Sequence, residues 1–257
     1  MRNNLIRKSS LSGPSARLRD QRPERTVAPV VRIAIVALCL APWTTALSAE
    51  NTAGAWTTLT TTGNFQTEQG ASAWHYWVDS QARYFDLGSG INQYLIRPAV
   101  GYEFGSGLTA WVGYARFRTR NRSGNVADEN RYWQQLSWTA GRWYGGRVSM
   151  RARLEQRSVS IGSDLGLVLR LATKYVRPVG PRSNTNLVMS LEPFVDLKST
   201  DWGGDAGLGQ NRFFVGLGWQ LSDSFALEAG YMNQYIWADS SADRSNHFGV
   251  LNFRLTP

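Results

Sequence analysis

The chain has 257 residues, is 12% aromatic with 11 Trp, is 18% charged, and carries a formal charge of +9. Eight basic and two acidic residues fall in the first 49, so the remainder holds 20 basic and 17 acidic residues, and the apparent basicity is no argument for nucleic-acid binding. The one cysteine, Cys39, lies in that same leader, which excludes a disulfide framework or thiol chemistry for the rest of the chain.

The leader reads as an export signal. A basic region ends at Arg32, residues 33–41 are a short apolar run, and Pro42 and Trp43 lead to Ala46, Leu47, Ser48 and Ala49. That order of charged, apolar and small-residue regions is the layout of a secretory signal peptide, and the run is too short to span a bilayer. Cleavage is expected after Ala49, giving a signal at 1–49 and a mature domain at 50–257. Leu38 before Cys39 does not fit a lipoprotein signal.

The rest of the chain shows period-two alternation in runs of about 10 to 14 residues, separated by Gly, Asn, Asp and Ser clusters. Residues 56–65 are the weakest run, being Thr-rich on both faces. In 73–86, Trp74, Tyr76, Val78, Ala82 and Tyr84 oppose His75, Asp79, Gln81 and Arg83. In 91–104, Tyr94, Ile96, Pro98, Val100, Tyr102 and Phe104 oppose Gln93, Arg97 and Glu103. Residues 108–120 set Arg116, Arg118 and Arg120 on one face, and 129–143 carry Glu129, Arg131, Gln135 and Ser137 on the more polar one. In 147–157, Arg147, Ser149, Arg151, Arg153, Glu155 and Arg157 alternate with Val148, Met150, Ala152, Leu154 and Gln156. A strand sends these two sets to opposite faces, whereas a helix would scatter the charges. The runs 165–176, 186–198, 211–221, 225–237 and 245–255 complete the series, with Arg170, Glu192, Arg212 and Glu228 on their polar faces.

The pattern predicts an all-β, antiparallel up-and-down transmembrane barrel. Its runs are long enough for tilted strands, and short turns at 105–107, 144–146 and 222–224 alternate with longer connections at 121–128, 199–210 and 238–244. The connection 177–185 breaks that alternation. Eleven runs are visible, but bacterial barrels are usually even-numbered, so ten or twelve strands are expected. A soluble periplasmic β-barrel or sandwich satisfies the same alternation and stands as the alternative fold.

Charge at the bilayer midplane is costly on the lipid side, so the charged faces should line a lumen. The expected lumen network is Arg97, Arg116, Arg118, Arg131, Arg147, Arg151, Arg153, Glu155, Arg157, Arg170, Glu192, Arg212 and Glu228. Paired Arg and Glu side chains can fill a small barrel. The excess of arginine favours an anion or small solute if the lumen takes a ligand.

A set of distributed motifs carries a resemblance: Arg97-Pro98 with Gly101-Tyr102, Gly113-Tyr114, and Glu129-Asn130-Arg131 with Gln134-Gln135. To these are added the 151–157 arginine ladder, Glu192-Pro193-Phe194, Asn211-Arg212 before Gly216, Gly230-Tyr231 and Asn246-His247. Over residues 55–255 the chain resembles a bacterial outer-membrane barrel family catalogued as domain of unknown function 2490. The resemblance implies an outer-membrane barrel and no assigned activity, with membrane lipid and the barrel-assembly machinery as partners. The chain departs from many such barrels in ending Phe253-Arg254-Leu255-Thr256-Pro257 rather than on an aromatic residue.

A different function class, a lipid hydrolase at the outer rim, rests on His247 with Ser240, Ser241 or Ser245 and an orienting Asp243 or Asn246. Asp201, Asp205, Asp239 and Asp243 fall in polar connections without EF-hand spacing, so solvated loop charge is expected and no metal or other cofactor is assigned.

Overall fold

The computed structural model describes residues 49–68, 70–88, 90–105, 107–180, 184–238 and 242–257. The expected signal peptide, with Cys39, lies outside them. Eleven strands form: β1 (Glu50–Thr67), β2 (Gly70–Tyr84), β3 (Asn92–Phe104), β4 (Leu108–Arg120), β5 (Val126–Trp143) and β6 (Gly146–Val159). They continue through β7 (Gly166–Pro178), β8 (Thr185–Asp196), β9 (Gly207–Gln220), β10 (Phe225–Ile236) and β11 (Arg244–Leu255). Among the described residues no helix is long and apolar enough to cross a membrane, which says nothing about strands.

Consecutive strands pair antiparallel, and β1 closes the barrel on β11. That closing pair is parallel, from Glu50↔Arg244 to Thr61↔Leu255. The expectation of ten or twelve strands is therefore corrected to eleven. The even-number rule assumes that both chain ends leave on the same side, and here the Thr-rich first run is a full strand entering from the opposite end. Its weak pattern reflects Thr on both faces, because Thr58, Thr60 and Thr62 point inward while Thr57 and Thr61 point outward.

The ends of the barrel differ. The junctions β1–β2, β3–β4, β5–β6, β7–β8 and β9–β10 lie at one end, with the C-terminus. The junctions β2–β3, β4–β5, β6–β7, β8–β9 and β10–β11 lie at the other, with Glu50. We call these the turn end and the loop end. The two-residue turn between Trp143 and Gly146 needs left-handed backbone at both of its residues. Tyr144 has φ 42° and Gly145 φ 76°.

Period-two alternation then gives the wall two chemistries. Outward positions include Leu59, Val78, Ile96, Val100, Val112, Leu136, Leu171, Leu217 and Leu251, all exposed, with Val112 at 62%. Aromatic side chains sit toward both rims. Trp74, Tyr102 and Phe104 stack edge to face near the turn end, and Tyr84 and Tyr94 share a 3.0 Å hydroxyl contact near the loop end. The inner face is packed instead with large and charged side chains, including Trp133, Phe117, Phe248, Arg153 and Glu155, each no more than 1% exposed. Gly113 makes this packing possible, because a Cβ there would fall 2.3 Å from the Trp133 ring and 2.8 Å from the Ala99 Cβ.

Candidate functional site

The inner face is organised on β6. Glu155 is 1% exposed and is the hub of a charge cluster. Its Oε1 accepts from Arg170 Nη1 at 2.5 Å, and its Oε2 accepts from Arg157 Nη2 at 2.8 Å and Arg131 Nη1 at 3.1 Å. Arg153 Nη1 stands 3.6 Å from Oε1. Arg170 bridges onward to Glu192 Oε1 at 2.8 and 3.0 Å, where Arg151 also donates. Arg131 is held by Glu129 through two 2.8 Å bonds. The register explains the convergence, because Glu155 pairs with Val168 and Trp133 across its two seams, leaving the flanking inward positions to arginines.

Two further pairs flank the hub. Arg97 and Asp79 form a buried two-pronged pair at 2.5 and 3.2 Å, and Lys174 reaches Glu228 at 2.5 Å. Aromatic rings separate the cations. Arg153 lies 4.0 Å over Trp133, Arg131 3.8 Å over Phe117, and Arg170 and Arg212 4.3 and 4.6 Å from the Phe194 ring. Like charges are thus interleaved with carboxylates and π faces, which is how so many guanidiniums share a narrow interior.

Two arginines in the middle of this interior have no carboxylate within ion-pair distance among the described residues. Arg83 donates only to the amide oxygens of Gln81 and Gln93, the latter at 2.6 Å. Arg212 makes no ion pair, although it lies opposite Glu192 in the sheet register. Both sit over the Trp56 ring, at 3.8 and 4.9 Å. Both also line two cavities: one of about 290 Å³ reaching to Glu228 and Arg254 toward the turn end, and one of about 490 Å³ reaching to Arg122 and Arg244 toward the loop end. Arg83 and Arg212 are therefore where the two vestibules meet.

Of the residues expected in the lumen, Arg97, Arg131, Arg151, Arg153, Glu155, Arg157, Arg170, Glu192, Arg212 and Glu228 share this interior. Arg147 has inward parity, opposite Val176, but is exposed at the turn-end rim. Arg116 and Arg118 are corrected: they face outward. They pair across the sheet with Ile96 and Tyr94, which are outward, while Phe117 between them and Ala115 before them pack inside with Leu95. Bulk decides this, because those apolar side chains fill the barrel beneath Arg131, whose guanidinium lies 3.8 Å over the Phe117 ring. Asp79, Arg83, Lys174, Trp77 and Trp133 join the interior without having been singled out. Inward parity with Arg97 was the available signal for Asp79.

The rim candidate His247 also faces outward. Asn51 Nδ2 donates to Ala49 O, which turns Asn51 Oδ1 toward His247 Nε2 at 3.1 Å. On this network the proton is assigned to Nε2, and Nδ1 then accepts from Tyr231 OH at 2.6 Å. Ser245 Oγ lies 3.3 Å from that same protonated Nε2 and accepts from Asn233. An imidazole protonated on the nitrogen facing the serine cannot act as its base. Neither expected orienter reaches the ring: Asp243 accepts from Tyr235 OH and Ala238 N, and Asn246 points inward to Thr52 and Gln234. Ser240 and Ser241 lie outside the described residues. The hydrolase reading is not favoured.

Among the described residues no cluster of three or more His, Cys, Asp or Glu is arranged to hold a metal ion. Asp201 is used instead as a loop clip, accepting from Ser163 N and Oγ at 2.8 Å and from Asp164 N at 3.1 Å. Those bonds hold its carboxyl below its ordinary value of 3.8.

Comparison with known proteins places the barrel in context. Residues 53–246 match a protein family described as "Protein of unknown function (DUF2490)". An uncharacterised protein of Methylorubrum extorquens is 34% identical over 179 residues, covering 69% of this chain and 78% of that relative.

Proposed function

The chain belongs to the DUF2490 family, whose description names no activity, and from the barrel itself we propose an outer-membrane protein with an Arg-rich lumen that seats a small anion. The observation that carries the membrane reading is the inside-out wall: exposed aliphatic side chains around the outside, aromatic side chains toward both rims, and the charges inside. Exposed apolar area on that scale belongs in lipid rather than water. The turn end then faces the periplasm and the loop end the exterior, with Glu50 starting β1 at the outer rim. Export by the 1–49 signal and insertion by the barrel-assembly machinery belong to the same proposal.

The anion reading rests on Arg83 and Arg212. They are cations without carboxylates, both set over the Trp56 ring, with Arg83 also bonded to amide oxygens, and they are placed at the junction of two cavities. The Glu155 hub beside them closes the middle of the lumen, which argues for a seat between vestibules rather than a wide pore. Fractionation tests the first part: the protein should require detergent and show heat-modifiable gel mobility, and solubility without detergent would overturn the membrane reading. For the second part, the heating temperature at which the folded band disappears should rise in phosphate relative to chloride at equal ionic strength. Equal stability in both salts, or a wide cation-selective pore in planar bilayers, would overturn the anion seat.

A further inference from the structure

The outward arginines of β4 stand apart from the inward charges of the lumen. Arg116, Arg118 and Arg120 stand on one face at the loop end, two residues apart, so neighbours are separated by about 7 Å along the strand. Arg116 is paired with Asp128 at 3.2 Å. Arg118 and Arg120 have no partner among the described residues, and both are exposed. Between strands β3 and β5 they flank a groove of about 270 Å³, completed by Asn92, Tyr94 and Val126. Tyr94 forms its floor on the side of the apolar wall, its hydroxyl already engaged by Tyr84. Tyr114 and Tyr132 pack together further toward the turn end on the same outer face, 5.3 Å between ring centroids. Toward the turn end, the outward positions of β4 become Val112, Ala110 and Leu108.

We propose that this groove binds the phosphomonoester of a membrane lipid in the leaflet at the loop end. The proposal rests on the membrane reading above. Charge on the lipid side costs little at the interface but several-fold more at the midplane, so these arginines mark where headgroups begin. Two unpaired guanidinium forks above a tyrosine belt suit a phosphomonoester: each fork can donate two parallel bonds to its oxygens, while the acyl chains descend over Val112, Ile96 and Val100. An exposed apolar contact alone would not call for two cations in register, and a soluble anion would have no use for the tyrosines and the aliphatic wall below.

The test uses the detergent-purified barrel, with binding read by native mass spectrometry against a bisphosphorylated diglucosamine lipid, its dephosphorylated form, phosphatidylglycerol and inorganic phosphate. The wild type should retain the phosphorylated glycolipid most strongly. Arg118→Gln/Arg120→Gln should bind it at least about tenfold more weakly. Arg142→Gln/Arg177→Gln, an equal charge change at the exposed turn-end rim, should bind like wild type. Heat-modifiable mobility shows that each variant is folded. Equal binding by the Arg118/Arg120 variant, or no preference for the phosphorylated glycolipid over its dephosphorylated form, overturns the site while leaving the membrane reading intact. Occupancy by inorganic phosphate without lipid overturns the lipid assignment. A protein soluble without detergent overturns both.

Discussion

The Glu155 carboxylate of β6 meets the Arg170 guanidinium of β7 at 2.5 Å, and through Arg170 it is coupled to Glu192 on β8. Three strands are thereby tied through one cation. Glu155 also receives Arg131 from β5, so the tie extends across four consecutive strands. In an interior largely sealed from water, such a tie shows its weight chiefly when a member is lost. Taking ions out of water costs several kcal/mol each, and the partners offset that cost only while the set is complete.

Glu155→Gln should therefore be strongly destabilising although it preserves shape. It leaves Arg131, Arg153, Arg157 and Arg170 around a neutral amide, and breaking one side of a buried ion pair costs about 3–5 kcal/mol. Arg170→Met in the same background should recover part of the loss, because it removes one stranded cation and the bridge that needed it. The check is urea unfolding in detergent for both single variants and the double. A coupling energy of about 1–3 kcal/mol is expected, and additive losses would mean that the two groups do not act as a unit.

Gly113 is a packing position. A methyl group there meets Trp133 and Ala99 inside the barrel, and neither can retreat, because Trp133 is 1% exposed and sandwiched with Arg153. Gly113→Ala should cost about 1–3 kcal/mol by overpacking. Tryptophan fluorescence during unfolding should report both the lower stability and a changed Trp133 environment, whereas Gly249→Ala, with open space around its Cβ, should be nearly neutral in packing.

Most of the architecture was legible because strand alternation is strict. The faces of 73–86 and 91–104 fall as the alternation indicates, and the ladder 147–157 supplies the hub. Arg116 and Arg118 misled for a physical reason. Alternation separates two faces without saying which one is inside, and assigning charge to the lumen holds only within the apolar band. At the loop end the outer wall is polar, and the bulk of Phe117 outweighed the charge of its neighbours. The cross-strand partners Tyr94 and Ile96 held the missing information, but it needs the register. The odd strand count was visible as eleven runs, but the even-number expectation set it aside, and the Thr-rich first run has too little contrast between faces to declare itself a spanning strand.

His247 should matter for stability at the β1–β11–β10 seam and not for chemistry. It links Tyr231, Ser245 and Asn51 on the outer wall. Tyr231→Phe removes one of these bonds and should cost about 1 kcal/mol. The purified wild type should leave phospholipid and glycolipid ester bonds intact over long incubation. Hydrolysis that disappears in both Ser245→Ala and His247→Ala would show that the ring can reverse its tautomer and act as a base after all.

Asp201 makes the loop end sensitive to acid. Its carboxylate clips the 197–206 connection to Ser163 and Asp164, and Asp164 returns a bond to the Asp201 amide at 2.9 Å. The bonds favour the charged form, so the folded pKa lies below the ordinary 3.8. The stabilisation is then fully present above that ordinary value, and it fades as pH falls through the lowered one. Hydrogen exchange at the Ser163 and Asp164 amides, corrected for intrinsic rates, should accelerate over that acid window and stay slow above it. Asp201→Asn should raise exchange at neutral pH and flatten the profile. A wild-type profile that is flat through the window would mean that the clip is held by Trp202, whose Nε1 donates to Asp164 O at 2.9 Å, rather than by the carboxylate.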